Sequence, residues 1–404
     1  MRVSGVICEC DPFHAGHGLL FAHAREGADA VVAVMSEHFT QRGEAACLSP
    51  SVRARLLLHG GANAVLGLPF PYSASGGEGF GSAGVSMLLG LGVTDLWFGS
   101  ECGDLALLWE AERATSDEGF LRAYREATRS GDGTAAAYAA CLRDCLGRDA
   151  PLSPNDLLAV SYLRAIRLGG GKLTPHTVRR RGSGFHSEGA DGTDYPSATA
   201  LRGLWRREGG GALSPFFDET AMTWLKNEDE AGRAPADGGR LESVLLAFLR
   251  TADPAMLDDV PALGGGIGRR LALAAREVTD TDELFARAAV RCPDSRLRRG
   301  LLFAVAGVRE TDLSSAPRFA PLLAADRVGC RYLALRRRAD GLPVVTKNAE
   351  LPQDATAKRQ QLLRERAAGL WSLCLPRPLP PADLLRERAY IAVEENTDQT
   401  NSVH

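Results

Sequence analysis

A short apolar run, Val3 to Ile7, leads through Cys8-Glu9-Cys10-Asp11-Pro12-Phe13 into His14-Ala15-Gly16-His17, and no other passage constrains the chain as much. Its mostly apolar character predicts a strand buried on both faces of a parallel sheet. Pro12 disfavours helical backbone at Asp11, so the chain must turn before Leu19, Leu20, Ala22, His23 and Ala24 can enter a helix. His14 and His17 then flank a helix N-terminus, where unpaired N–H groups and the helix dipole favour phosphate. Gly16 between them lets backbone approach a ligand closely. Two imidazoles there can donate hydrogen bonds to the charge that builds on an α-phosphate during nucleotidyl transfer. Standing alone, the same pair would suit a surface or a metal; the strand before and the helix after it select the nucleotide.

The next segments repeat the pattern. Strands over Asp29 to Met35, Ala64 to Leu68 and Thr94 to Phe98 alternate with helices over Ser49-Pro50 to Leu58 and Ser73 to Leu91. This alternation predicts an α/β, doubly wound parallel, Rossmann-like sheet. Ligands of such sheets lie beyond the carboxyl ends of the strands, where His14, the Gln41-Arg42-Gly43 loop and Gly99 fall.

Further on, Asp104 to about Leu146 reads as helical, and Asn155 precedes a helix from Asp156 to Leu168. Lys172 to Arg181 reads as a strand ending in a basic loop, and the Gly, Ser and Asp of Gly182 to Tyr195 as a mobile loop. Ser197, Thr199 and Arg202 open the next helix. They suit the β- and γ-phosphates of ATP, hydroxyls by hydrogen bond and guanidinium by charge. The plainer account is a serine cap with a surface arginine. Gly209 to Gly211 and Ala234 to Gly239 read as linkers, Leu241 to Leu249 and Ile267 to Val278 as bundle helices, and Pro343 to Lys347 as a short strand. Arg296-Leu297-Arg298-Arg299 and Arg336-Arg337-Arg338 are either solvated faces or contacts for RNA phosphates.

A formal net charge of -3 over 404 residues supplies no global field for nucleic acid, so any RNA contact must be a local patch. No apolar segment has signal or membrane length. Nine cysteines include no Cys-x-x-Cys pair, and Cys8 and Cys10 read as small buried hydrophobes. These features predict a cytoplasmic protein with no resident metal, magnesium arriving only with the nucleotide.

Several stretches together resemble the bacterial tRNA(Met) cytidine acetate ligase family, within the HUP-type nucleotidyltransferases. They are Pro12-Phe13-His14-Ala15-Gly16-His17, Val34-Met35-Ser36 with His38 to Glu44, Phe98-Gly99-Ser100-Glu101, Asn155 to Ala159, Pro175 to Arg180, Ser197 to Arg202 and Ser295 to Arg299. The resemblance implies ATP-dependent activation of acetate as acetyl-adenylate. The acetyl group then passes to N4 of the wobble cytidine of elongator tRNA(Met), giving N4-acetylcytidine. It places ATP along Ile7, Cys8, Glu9, Cys10, Asp11, Pro12, Phe13, His14, Ala15, Gly16, His17, Gly18, Leu19 and Leu20, with Gly99, Asn155 and Arg180 completing the site. His14 and His17 stabilise the transition state, and Arg42 contacts the active site. Residues 1–207 would form the ATP-binding catalytic domain, 208–392 a mainly helical region able to meet tRNA, and 393–404 a disordered tail.

The chain departs from the family where Cys10-Asp11 replaces Tyr-Asn, where no Trp stands near Ser51-Val52-Arg53, and where Phe185-His186-Ser187 replaces Tyr-His-Asp. A carboxylate at position 11 should need a magnesium partner or weaken ATP binding. Asp11-Pro12 is closer to adenylyltransferases acting on small phosphorylated metabolites, which is one alternative. A catalytically inactive RNA-binding relative is the other.

Overall fold

In the computed structural model, β1 (Val3–Cys8), β2 (Ala30–Ser36) and β3 (Ala64–Leu68) are buried along their whole length. The structure describes residues 1–130, 134–147, 150–180, 196–288, 292–337 and 341–392. The 182–195 loop and the 393–404 tail lie outside them. With β4 (Asp95–Ser100), β5 (Thr174–Arg179), β6 (Ala320–Ala325), β7 (Val344–Val345) and β8 (Tyr390–Ile391), the strands form one sheet ordered β5-β4-β1-β2-β3-β6-β7, with β8 also on β6. Strands β1 to β5 are mutually parallel, and β6 runs antiparallel to β3. The doubly wound α/β sheet is the one the strand–helix alternation predicts.

Helices cover both faces. On one, α1 (Ala15–Arg25) and α2 (Pro50–His59) set Phe21, Ala24, Ala54 and Leu57 against Val6, Val31, Ala33 and Val65. On the other, α3 (Gly77–Leu91) sets Phe80, Val85 and Leu88 against Ile7, Val32, Val34 and Leu66. Helix α3 approaches β1 closely because a Cβ at Gly84 would lie 2.7 Å from Ile7 Cδ1. Strand order reverses between β1 and β4, which opens a crevice beyond their carboxyl ends. Between β4 and β5 the chain forms α4 (Leu105–Ser116), α5 (Glu118–Ser130), α6 (Thr134–Leu146) and α7 (Pro154–Leu168), and after residue 195 it enters α8 (Ala198–Glu208).

Three local readings change. The Ser73–Leu91 helix starts instead at Gly77, after a one-turn helix at Tyr72–Ala74, because Ser75 and Gly76 are extended. Ala234 to Gly239 is no solvent linker: Ala234 and Ala236 are buried, and the N–H groups of Ala236 and Asp237 donate to Cys47 O and Cys374 O. Small turn-forming residues fit a tight gap as well as a loose loop. Finally, besides β7, which falls within the short strand expected over Pro343 to Lys347, the mainly helical C-terminal region also supplies β6 and β8. Ala-Pro-Leu-Leu-Ala-Ala has neither alternation nor β-branched residues to announce a strand.

Candidate active site

After β1 the chain turns through Cys10, whose φ is 52°, and a cis Asp11-Pro12 bond to reach His14, the N-cap of α1. The two histidines cap reciprocally. Gly16 N–H donates to His14 Nδ1 at 3.0 Å, and His14 N–H donates to His17 Nδ1 at 3.2 Å. Because each Nδ1 accepts, each neutral ring carries its proton on Nε2. The ring centroids lie 3.9 Å apart. Burial, reinforced by the positive Arg180, holds the His14 pKa down to about 4, and burial together with His14 and Arg180 holds His17 well below its ordinary value. At neutral pH the site therefore presents two uncharged N–H donors side by side at a helix N-terminus.

The same shifts predict acid sensitivity. Histidine in the unfolded chain titrates near 6.5 and folded His14 near 4, so between these values the unfolded state binds more protons. Stability is complete above about 6.5 and declines towards pH 4, by about 1.4 kcal/mol per pH unit for each such group. His17 and the buried His38 act in the same direction. Urea midpoints should fall between pH 7 and pH 5; equal midpoints would contradict the neutral, buried pair.

Across the crevice, the end of β4 gathers residues distant in sequence. Asn155 Nδ2 donates to Glu101 Oε1 at 2.6 Å, and Arg180 Nε stands 3.7 Å from that oxygen. The N–H groups of Glu101 and Cys102 donate to Asp156 Oδ1. A Cβ at Gly99 would lie 3.2 Å from Arg180 Cγ, so glycine lets the arginine lie along the strand end towards the histidines.

Asp11 does not behave as expected. Its Oδ1 accepts from Cys47 N–H at 2.6 Å, and its Oδ2 lies 3.4 Å from Arg202 Nη1, so protein groups neutralise it without magnesium. Arg202 is correspondingly committed. Its Nη1 donates to Asp11 O at 2.6 Å, and its Nη2 reaches Thr199 Oγ1 at 3.3 Å and Glu44 Oε2 at 3.5 Å. Ser197 accepts from Ala200 N–H as the cap of α8. The structure thus brings Arg202 behind the β1–α1 turn, while Ser197 and Thr199 stay exposed at the start of α8. Asp11→Ala should destabilise the protein by about 3 kcal/mol, leaving Cys47 N–H without an acceptor and Arg202 without one of its two carboxylate neighbours, and Asp11→Asn by about 1 kcal/mol because the amide oxygen still accepts. Urea unfolding checks the ranking, and an equal cost for both would contradict it.

The Gln41-Arg42-Gly43-Glu44 loop closes the crevice. Gln41 N–H donates to Glu9 Oε1 at 2.6 Å, and burial pushes the Glu9 carboxyl up against the opposing pull of that bond and of Arg42 and Arg202. Gly43, at φ 74°, passes so close to the Asp294–Ala306 helix that a Cβ would lie 2.8 Å from Arg299 N. Arg299 Nη1 donates to Gln41 O at 3.2 Å, and Arg298 Nη1 stands 3.6 Å from Glu44 Oε1. Fully buried Arg53 donates to Glu9 O at 2.7 Å and to Leu48 O at 3.2 Å. Trp371 Nε1 donates to Ala46 O at 2.8 Å, and Arg364 pairs with Glu37. Sequence reasoning missed Arg53, Arg298, Arg364 and Trp371 as supports, since no spacing rule links positions this far apart.

The family model of HIGH Nucleotidyl Transferase matches residues 1–380. A tRNA(Met) cytidine acetate ligase of Syntrophotalea carbinolica is 34% identical over 360 residues, covering 86% of this chain and 85% of that protein. The chain belongs to the tRNA(Met) cytidine acetate ligase family of HIGH nucleotidyl transferases. The ligase of Acetivibrio thermocellus is 28% identical over 94% of this chain and 96% of its own length. Among solved structures, apo Thermotoga maritima TmcAL is similar with a TM-score of 0.88 and 26% identity over 97% of this chain and 100% of that one. The same protein bound with alpha-thio ATP gives 0.86, again at 26% identity, 97% and 100%. Among the described residues, no helix is long and apolar enough to cross a membrane.

Proposed function

We propose that the chain is an ATP-dependent tRNA(Met) cytidine acetate ligase acting in the cytoplasm. It activates acetate as acetyl-adenylate, releases pyrophosphate, and transfers acetyl to N4 of the wobble cytidine of elongator tRNA(Met). The observation that carries this reading is the pair of neutral His14 and His17 rings, both Nε2–H groups free of intrahelical bonds, in a chain matched along most of its length by ligases of that name.

Acetate attacking an α-phosphate needs a placed nucleophile and stabilised oxygens more than a strong base. Residues Ile7 to Leu20 line the nucleotide, with Gly99 and Asn155 opposite them. The two Nε2–H donors meet the α-phosphate oxygens as charge builds, and Arg180 and Arg42 add positive charge. Ser197 and Thr199, at the N-terminus of α8, take the outer phosphates, with Arg202 held behind the turn by Asp11. Magnesium arriving with the nucleotide would neutralise charge on the departing pyrophosphate, and Glu101, whose buried Oε2 has no hydrogen-bond partner among the described residues, would hold it.

Asp11-Pro12 is the feature that favours an adenylyltransferase for small phosphorylated metabolites. With Asp11 paired internally, nothing specific favours that alternative or an inactive relative. The test is pyrophosphate release from ATP with acetate, with acetate plus bacterial tRNA, and without acetate, followed by mass spectrometry of the tRNA nucleosides. Acetate-dependent release with acetylcytidine in tRNA is expected. Release that ignores acetate, or tRNA without acetylcytidine, would overturn the assignment.

A further inference from the structure

Strand β6 is interrupted on the edge that faces away from β3. There β7 pairs with Ala320 and Pro321, and β8 with Ala324 and Ala325, so Leu322 and Leu323 have no strand beside them. Backbone groups turned to that side lack a ladder partner. A cavity of about 690 Å³ opens over the gap, lined also by the start of α2, the Ala355–Ser372 helix and the Leu384 to Ala389 segment. None of the residues assigned to the reacting nucleotide lines it.

Two polar side chains on the cavity wall are almost wholly buried and incompletely paired. His38 is 5% exposed, and its Nδ1 has no hydrogen-bond partner. Gln361 is 6% exposed; its Nε2 donates to Glu365 Oε1 at 2.9 Å, but its Oε1 accepts from nothing among the described residues. Burial, with the positive Arg364 and Arg53, holds His38 well below its ordinary value, so the ring is neutral and offers one donor and one acceptor. Pro321, Val345, Leu351 and Leu384 add apolar wall.

The charges around the cavity are unevenly matched. Arg364 is committed to Glu37, and Arg386 stands 3.8 Å from Asp383. Lys347 and Arg388 have no ion-pair partner among the described residues, since Glu350, the carboxylate beside Lys347, stands 3.7 Å from Arg337. Among the described residues Glu387 is the only acidic one on the wall; burial pushes its carboxyl up, and Ser51 hydrogen-bonds to it.

From this arrangement we infer a second, regulatory nucleotide site in the β6 cavity, where the base of a nucleoside monophosphate lies over the Leu322–Leu323 gap against His38 and Gln361 and its phosphate meets Lys347 and Arg388. A base fits better than a simple carboxylate, which would leave Gln361 Oε1 without a donor. A peptide strand does not fit, because the free edge is two residues long. The site reaches the reaction site through one hairpin. His38 O accepts from Ala46 N–H at 3.0 Å, the His38 ring lies 5.7 Å from Trp371, and at the hairpin tip Gln41 N–H donates to Glu9. A ligand that fixes His38 therefore biases the loop that closes the crevice. The inference does not depend on which acid or RNA the reaction site takes.

The test is amide hydrogen exchange of the full chain, read by mass spectrometry, with AMP, GMP, CMP, UMP or inorganic phosphate added. At least one of the four nucleotides should slow exchange over residues 319–326 and 344–351, with half-saturation at roughly 10 to 100 μM, the range open to a ligand of that size. This protection is read apart from any at Ile7 to Leu20, where the reaction site lies. Lys347→Glu should raise the half-saturation at residues 319–326 roughly tenfold, as for loss of a charge-assisted contact, and Gln361→Leu should act in the same direction. Lys347 is exposed, so its variant carries the test even where Gln361→Leu unfolds. Protection confined to Ile7 to Leu20 with all four nucleotides would overturn the second site. So would an unchanged half-saturation in folded Lys347→Glu, and equal protection by inorganic phosphate would remove the nucleoside from it.

Discussion

His17→Ala should slow acetyl-adenylate formation roughly a hundredfold or more, the scale expected for losing one preorganised donor to a developing oxyanion. The substitution also has a structural cost. His17 Nδ1 accepts from His14 N–H, so alanine removes a capping acceptor together with the Nε2 donor, at about 1 kcal/mol of stability. Two further variants separate the roles. In His17→Asn the amide oxygen stands near the place of Nδ1, keeping the cap while losing the donor. In His17→Gln the longer amide carries an N–H towards the place of Nε2. If the donor matters, Asn should be nearly as slow as Ala, and Gln should recover part of the rate. Single-turnover pyrophosphate release measures this directly. An Asn variant as fast as wild type would remove His17 from the chemistry and leave it a helix cap.

Arg364→Ala should destabilise the protein by about 3–5 kcal/mol, because it strands a buried carboxylate. Glu37 is 1% exposed, and Arg364 Nε donates to both of its oxygens at 2.9 and 2.8 Å. There is little room for the carboxylate to turn away: a Cβ at Gly67 would already lie 2.6 Å from Glu37 Oε1. The double variant Glu37→Gln with Arg364→Met should lose much less, since it removes both charges and keeps most of the volume. Urea unfolding of the two single variants and the double variant gives the coupling. Additive losses would show that the pair is not a unit. Because Glu37 opens the loop carrying Gln41 to Glu44, the Arg364→Ala variant should also bind ATP more weakly at temperatures where it is still folded.

The sequence by itself determined the sheet core and the histidine pair. Val3–Cys8, Ala30–Ser36 and Ala64–Leu68 are legible because a strand buried on both faces is apolar at nearly every position, Ser4 and Ser36 being the polar exceptions. His14 and His17 are legible because their interaction spans a single helical turn, where spacing fixes geometry.

Tertiary structure decided what closes the crevice. Asp11 meets Arg202 across 191 residues and Glu37 meets Arg364 across 327, and local patterning carries no information about such pairings. Arg53 reads as one more charge on an amphipathic helix, yet it is fully buried because two backbone carbonyls, Glu9 O and Leu48 O, happen to converge on it. Strand β6 was hidden for a related reason. A six-residue run of Ala, Pro and Leu has no preference strong enough to declare itself, and it becomes a strand because the open edge of β3 offers unpaired N–H and carbonyl groups that must be satisfied. Periodicity reports contacts within a turn or a strand; which distant charge neutralises which is settled only when the packed chain excludes water from both.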